Sequence, residues 1–305
     1  MDENQRLSML KQSVYPSDVV LDTDTFNEVD DQFALAYLLR NRDKLRLQAV
    51  YAAPFLNEKA GTPKMGMEKS YDEILRILRL AEAPEYESRV YRGADHFLKD
   101  QYTPAESEAA LDLIARALLH SRENPLYVIG IAAATNLASA LLLEPAIREH
   151  IVVIWLGGSG FHCPEIEEFN LMEDIPAAQV LFDSEVPFVQ LPCWGVTEHF
   201  TISRPELETW LIGKNPLADY LASHAITSVE AWAETPMWAK AIWDVPAVAW
   251  LLNGGQRFMK DRLIPCPQIT DKGGYRFSAN RHSMKYVYRI ERDMLMTDLI
   301  EQIVK

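Results

Sequence analysis

Short apolar runs alternate with helical patterns through the first two thirds of this chain, and that alternation constrains its fold more than any other feature. Val19–Leu21, "LRLQAVYAAPF" (45–55), "LYVIGIA" (126–132), "IVVIWLGG" (151–158) and "VPFVQLP" (186–192) read as strands. "DDQFALAYLLRN" (30–41), "MEKSYDEILRILRLA" (67–81), "AESEAALDLIARALLH" (105–120), "TNLASALLL" (135–143) and "IPAAQVLFD" (175–183) read as helices. In the second of these, Tyr71, Ile74, Leu75 and Leu78 recur at helical spacing. Near-continuous apolar strands separated by helices are the signature of a parallel sheet covered on both faces. The expected fold is therefore α/β, with a Rossmann-like, mostly parallel central sheet and helices on both sides.

After about Arg204 the pattern becomes mainly helical through "WAKAIWDVPAVAWLLNGG" (238–255), where Gly254 and Gly255 end it. Residues 257–289 read as irregular strands and turns, with "DKGG" (271–274) as a turn. "RDMLMTDLIEQIVK" (292–305) closes the chain as a helix. With no repeat or linker, residues 1–305 read as a single domain with C-terminal helical and β elaborations.

Composition removes several functions. A net charge of -14 argues against a nucleic-acid or anionic-membrane partner, since both need basic patches. The first 18 residues are polar and acidic, unlike a signal peptide. No apolar run is long enough to span a bilayer. Cys163, Cys193 and Cys266 are scattered, with no CxxC pair, which suits a reducing compartment. A cytoplasmic location is expected.

The chemistry gathers at one place. "VVLDTDTFNEVDDQFAL" (19–35) puts Asp22, Asp24, Glu28, Asp30 and Asp31 where the first strand turns into the first long helix. Open α/β sheets bind ligands at the carboxyl ends of their strands. Crowded carboxylates repel, and their pKa values rise unless a cation compensates. An all-oxygen cluster suits Ca²⁺ or Mg²⁺ better than zinc or copper. The bland alternative is an acidic helix N-terminus with solvated carboxylates.

The same stretch resembles two enzyme families. "VVLDTDTF" looks like the first motif of haloacid-dehalogenase-type phosphatases, which would make Asp22 a nucleophile in a Mg²⁺-dependent phosphatase. That family's later acidic motif has no counterpart here: "IVVIWLGGSG" has glycines but no aspartates after them. A wider resemblance is to the nucleoside hydrolases, whose first motif is written DxDxxxDD. "NPLYVIGIAAATNLASAL" (124–141), "IVVIWLGGSG" (151–160), "EEFNLMEDIPAAQVLF" (167–182) and "AIWDVPAVAW" (241–250) fit further segments of that family in order.

This second resemblance implies Ca²⁺-dependent hydrolysis of the N-glycosidic bond of a ribonucleoside. It implies Ca²⁺ held by Asp24, Asp31, Asp244 and the carbonyl near Ile131, with Asp24 as the base for a water. It also implies sugar contacts from Asp30, Glu168, Asn170 and Asn57. The expected partners are a ribonucleoside and further copies of the chain, as a homodimer or homotetramer. A non-catalytic relative that keeps the sugar pocket as a binding module is the alternative from another class.

The sequence departs from the family's pattern in three places. "TFNEV" between Asp24 and Asp30 is two residues longer than usual, leaving open whether Asn27 or Glu28 enters the site or faces solvent. "GIAAATN" (130–136) lacks the usual glycine before Thr135 and Asn136. Trp243 precedes Asp244 where many relatives have a histidine that protonates the leaving base. His162, six positions before Glu168, reads either as a substrate contact or as a surface-loop histidine. Cys163 beside it is incidental, because one His and one Cys do not make a zinc site. Gly157 and Gly158 read as a tight strand-end turn, lacking the pattern of a phosphate loop. Among the clustered tryptophans 232, 238, 243 and 250, Trp243 is the best candidate to face a nucleobase.

Overall fold

The computed structural model describes residues 1–11, 15–164 and 167–305. In chain order its first half contains α1 (Glu3–Met9), β1 (Ser17–Thr23), α2 (Asp30–Arg40), β2 (Leu45–Ala52), α3 (Pro63–Leu80), β3 (Val90–Arg92), α4 (Glu108–Ala117), β4 (Leu126–Gly130) and α5 (Thr135–Leu143). There follow β5 (Ile151–Leu156), α6 (Phe169–Glu173), α7 (Ile175–Asp183), β6 (Phe188–Leu191), β7 (Thr201–Ser203), α8 (Arg204–Trp210), α9 (Pro216–Glu230) and β8 (Ala239–Ala241). The chain ends with α10 (Val245–Leu251), β9 (Met259–Pro265), β10 (Gln268–Ile269), β11 (Tyr275–Arg276), β12 (Ser283–Ile290) and α11 (Arg292–Ile303).

Eight strands form one sheet in the order β3-β2-β1-β4-β5-β6-β12-β9. All neighbours are parallel except β12 and β9. Side chains alternate between the two faces along each strand, and the core divides accordingly. Val19, Leu21, Ile129 and Ile154 join one apolar layer with residues of α2, α3, α9, α10 and α11. Val20, Val128, Val153 and Trp155 join the other, with α4, α5 and α7. Burying a strand on both faces requires an unbroken apolar run, which is why these segments stand out in the sequence.

The chain reverses its direction of travel through the sheet between β1 and β4, which are neighbours. At such a switch point the loops after two adjacent strands diverge to opposite faces and leave a crevice. Register brings the carboxyl ends together there. Asp22 lies opposite Tyr51 of β2 and Gly130 of β4. Leu156 of β5 lies opposite Leu191 of β6. Asp24, Ile131, Gly157 and Cys193 therefore share one rim.

Two segments differ from the sequence reading. Residues 257–289 are not merely irregular, because β9 and β12 extend the main sheet, held by pairing that is remote in sequence. "WAKAIW" is not the start of a long helix: Ala239–Ala241 pairs antiparallel with Thr201–Ser203, and helix begins only at Val245. No described helix is long and apolar enough to cross a membrane.

Candidate active site

The strand-end crevice opens into a cavity of about 440 Å³. Asp24, Asp30, Asp31, Ile131, Glu168, Asn170, Trp243 and Asp244, all expected from the sequence, line it. Asp24 follows β1, and Asp30 and Asp31 form the first turn of α2. Asp244 arrives from far along the chain as the residue preceding α10, its side chain making no capping bond. The N-termini of α2 and α10 thus meet the same carboxylates, an orientation that favours negative charge.

These acids are buried, not solvated, which disposes of the bland reading. Asp24 is 1% exposed, Asp31 2%, Asp30 3% and Asp244 4%. Carboxylate oxygens of Asp30, Asp31 and Asp244 lie within 4.8 Å of one another. This trio differs by one member from the expected Asp24, Asp31 and Asp244; Asp24 is its electrostatic neighbour. Few donors serve the cluster. Thr23 Oγ1 donates to Asp31, and the Trp243 amide donates to Asp30 Oδ2 over 3.0 Å. Asp24 Oδ2 and Asp30 Oδ1 have no hydrogen-bond partner. Burial, followed by the charge of Asp30, pushes the Asp31 carboxyl up to about 8. Burial and then Asp31 raise Asp24 well above the usual range. Spare oxygens at mutually repelling carboxylates are the donor set for a hard cation.

Glu168 is handled differently. Its carboxylate accepts from the backbone amides of Gly158 (2.6 Å), Asn170 (3.0 Å) and Leu171 (3.0 Å), and from the Cys193 thiol (3.2 Å). Gly158 has a φ of 76°, and a Cβ there would meet the Tyr275 hydroxyl at 2.0 Å, so the turn after β5 needs glycine. Asn170 donates to the Leu156 carbonyl over 3.1 Å, leaving its own side-chain oxygen available.

Other expected residues lie at or beyond the edge. Asn57 does not line the cavity; its amide donates to Asn27 Oδ1 over 2.7 Å. In the loop between Asp24 and Asp30, Asn27 and Glu28 both line the cavity. His162 is exposed and outside the lining, its ring against the backbone of Gly195. Asp22, the nucleophile of the phosphatase reading, does not line the cavity. Its Oδ1 accepts from Asn136 over 2.7 Å. Burial raises it to about 7, with Asn136 pulling the other way.

Sequence reasoning missed two residues that line the cavity, Trp194 and Lys240, and one outside the lining, Glu173, whose charge acts on Asp24. Trp194 is 43% exposed and meets Trp243 edge-to-face, ring centroids 5.1 Å apart, so the cavity has an aromatic side. Its position just past the β6 run was the available signal. Lys240 pairs with Glu28 and lies 3.9 Å from Asp30 Oδ1. Burial opposes its charge, but Asp30 and Glu28 outweigh that and raise its pKa. Its signal was a lone cation in an aromatic segment. Glu173 accepts from the Leu56 amide over 2.6 Å, while its other oxygen is buried without a partner. Burial and then Glu168 push it up to about 8.

Comparison with known proteins gives a consistent set of relatives. The family model described as inosine-uridine preferring nucleoside hydrolase matches residues 19–291. The pyrimidine-specific ribonucleoside hydrolase RihA of Salmonella paratyphi A is 26% identical over 205 residues, covering 59% of this chain. The chain matches 65% of that relative's length, just under two thirds. Two solved structures share the fold. One is a plant nucleoside hydrolase, PpNRh1, with a TM-score of 0.73, 16% identity, and coverage of 95% of this chain and 99% of that one. The other is a purine-preferring ribonucleoside hydrolase from Gardnerella vaginalis, with a TM-score of 0.73, 18% identity, and coverage of 94% and 98%.

Proposed function

This chain belongs to the inosine-uridine preferring nucleoside hydrolase family, and from that premise we propose that it hydrolyses the N-glycosidic bond of ribonucleosides to ribose and free base. The observation that carries the proposal is the group of buried carboxylates, with oxygens lacking partners, at the switch point of the sheet. Asp24, Asp31, Asp244 and the Ile131 carbonyl would hold a divalent cation, assigned as Ca²⁺; the close approach of Asp30 to Asp31 and Asp244 makes it a neighbour of that ion. When bound, such an ion supplies positive charge that makes a water easier to deprotonate and orients the sugar diol.

The chain's own residues do the rest. Asp24 takes the proton of the attacking water, for which its Oδ2, buried without a hydrogen-bond partner, is the open acceptor. Asp30 accepts from a ribose hydroxyl, held in place by the Trp243 amide. Asn170 offers its free oxygen to another. Glu168 already serves four donors, about the capacity of a carboxylate. A sugar hydroxyl can replace the weakest of these, the Cys193 thiol, so Glu168 acts mainly by fixing Asn170. Asn57 acts on the sugar through Asn27, to which its amide donates, and His162 stands outside the pocket lining. Trp243 and Trp194 face the base. The same reading carries a cytoplasmic homodimer or homotetramer.

The test is release of reducing sugar from a nucleoside panel, run beside release of phosphate from phosphate esters. Sugar from ribonucleosides, dependent on divalent cation, is the expected outcome. Phosphate release alone supports the phosphatase, and binding of nucleosides without turnover supports the non-catalytic relative.

A further inference from the structure

The lining of the cavity contains seven carboxylate side chains, Asp24, Glu28, Asp30, Asp31, Glu168, Glu198 and Asp244, and among the described residues a single cationic one, Lys240. An isolated lysine in such a place needs a reason. A general balance of charge would be served as well at the surface, yet the Lys240 side chain is only 11% exposed. Its partner Glu28 is 51% exposed and comes from the loop between Asp24 and Asp30. Ion pairs open to water on one side are weak, so Glu28 can release the ammonium to another anion.

The position of Lys240 says which anion. Asp30 lies between two groups: its Oδ1 is 3.9 Å from the Lys240 ammonium, and its Oδ2 accepts from the Trp243 amide. Trp243 and Trp194 form the aromatic side of the cavity. With a sugar hydroxyl on Asp30 and a base against Trp243, three residues along the chain from Lys240, an ammonium 3.9 Å from Asp30 Oδ1 would stand near the bond that breaks. When that bond breaks, the base takes the electron pair and becomes negative. No other Lys, Arg or His among the described lining residues can meet that charge.

We propose that Lys240 is a catalytic residue whose ammonium receives the negative charge of the departing base. The proposal rests on the nucleoside-hydrolysis reading above. The C1′–N bond breaks with its electron pair going to the base nitrogen. The water oxygen bonds to C1′, and the water's proton passes to Asp24. The base leaves as an anion paired with Lys240 and takes a proton from solvent, while Asp24 returns its proton to solvent. One water is consumed per nucleoside.

The test compares wild type, Lys240→Met and Lys240→Arg on two ribosides, with the protein loaded with Ca²⁺. One substrate is inosine, whose base is a poor anion. The other is 4-nitrophenyl β-ribofuranoside, whose phenolate leaves readily as an anion. Loss of a preorganised group that meets developing charge costs about 10²–10³-fold in kcat. Lys240→Met is expected to lose that much on inosine with little change in KM, and to lose far less on the nitrophenyl riboside. Lys240→Arg should recover most of the inosine rate. Lys240→Gln takes the place of Lys240→Met should the latter not fold. Equal losses on both substrates would make Lys240 a structural residue and overturn the proposal, as would undiminished kcat on inosine. Failure of the wild type on both substrates would overturn the hydrolase reading itself, before any variant is compared.

Discussion

Asp24 and Glu168 are both buried carboxylates lining one cavity, yet the fold treats them in opposite ways. Glu168 receives three backbone amides and a thiol. Asp24 has an oxygen with no partner and like charges on several sides. Burial raises both pKa values, but amide donors restrain Glu168, whereas neighbouring acids drive Asp24 well up. Where a carboxylate is architectural, the chain surrounds it with its own donors. Where it is to meet something from outside, acceptors are left open, and the cost is borne until a cation or a proton arrives.

Substitutions should separate the two kinds of carboxylate. The largest effect is expected from Asp24→Asn, which removes the proposed base. Turnover should fall on the order of 10²–10⁴-fold while the fold stays intact, measured as kcat beside a thermal melt. Near-normal turnover would remove Asp24 from the mechanism. Next comes the response to metal. A ligand at 1,000 times its Kd stabilises by about 4 kcal/mol, so adding Ca²⁺ should raise the melting temperature of the wild type. Asp244→Asn should lose most of that rise and its bound metal. Glu168→Gln should keep the rise but start lower, by about 2–3 kcal/mol, because bonds to a charged acceptor are weakened. If both variants respond alike to Ca²⁺, the division between them fails.

The smallest expected effect concerns pH in metal-free protein. Glu173 titrates near 8 in the folded state, above its ordinary carboxylate value, as Asp31 does. The folded state then holds more protons than the unfolded state between those values, so stability falls as pH rises through this window. The loss is complete above the folded pKa and absent below the unfolded one. Glu173→Gln, which retains an oxygen for the Leu56 amide, should therefore stabilise the protein above pH 8 by about 1–2 kcal/mol. It should change little near pH 4, as followed by melts across pH.

The division between the two carboxylates also marks what can be read from sequence. Asp24, Asp30 and Asp31 were legible because they sit at a strand-to-helix junction, where local pattern and topology coincide. Asp244 and Glu168 came from family resemblance, since nothing local distinguishes them. The core strands were plain because double-sided burial writes itself as continuous apolar runs. β9 and β12 were obscure because a strand pair buried only in part carries a weaker signal, and the pairing of β12 with β6 and of β9 with β12 is set by contacts remote in sequence. Lys240 was missed for a related reason. Three residues of strand cannot show a period of two, so "WAKAIW" read as helix, and the lysine's approach to Asp30 exists only once β8 pairs with β7. Trp194 was one tryptophan among seven until the fold set it against Trp243.

In the proposed reaction, open carboxylates and their cation grip the sugar, while an aromatic side faces the base. Matched ribo- and 2′-deoxyribonucleosides of one base test this most directly through their kcat/KM values. A site built to bond a hydroxyl rejects the analogue lacking it by a factor on the order of 10⁴, because its own buried groups are left unpaired. Preference of that order for the ribonucleoside is the predicted result, and equal kcat/KM for the two sugars would contradict it.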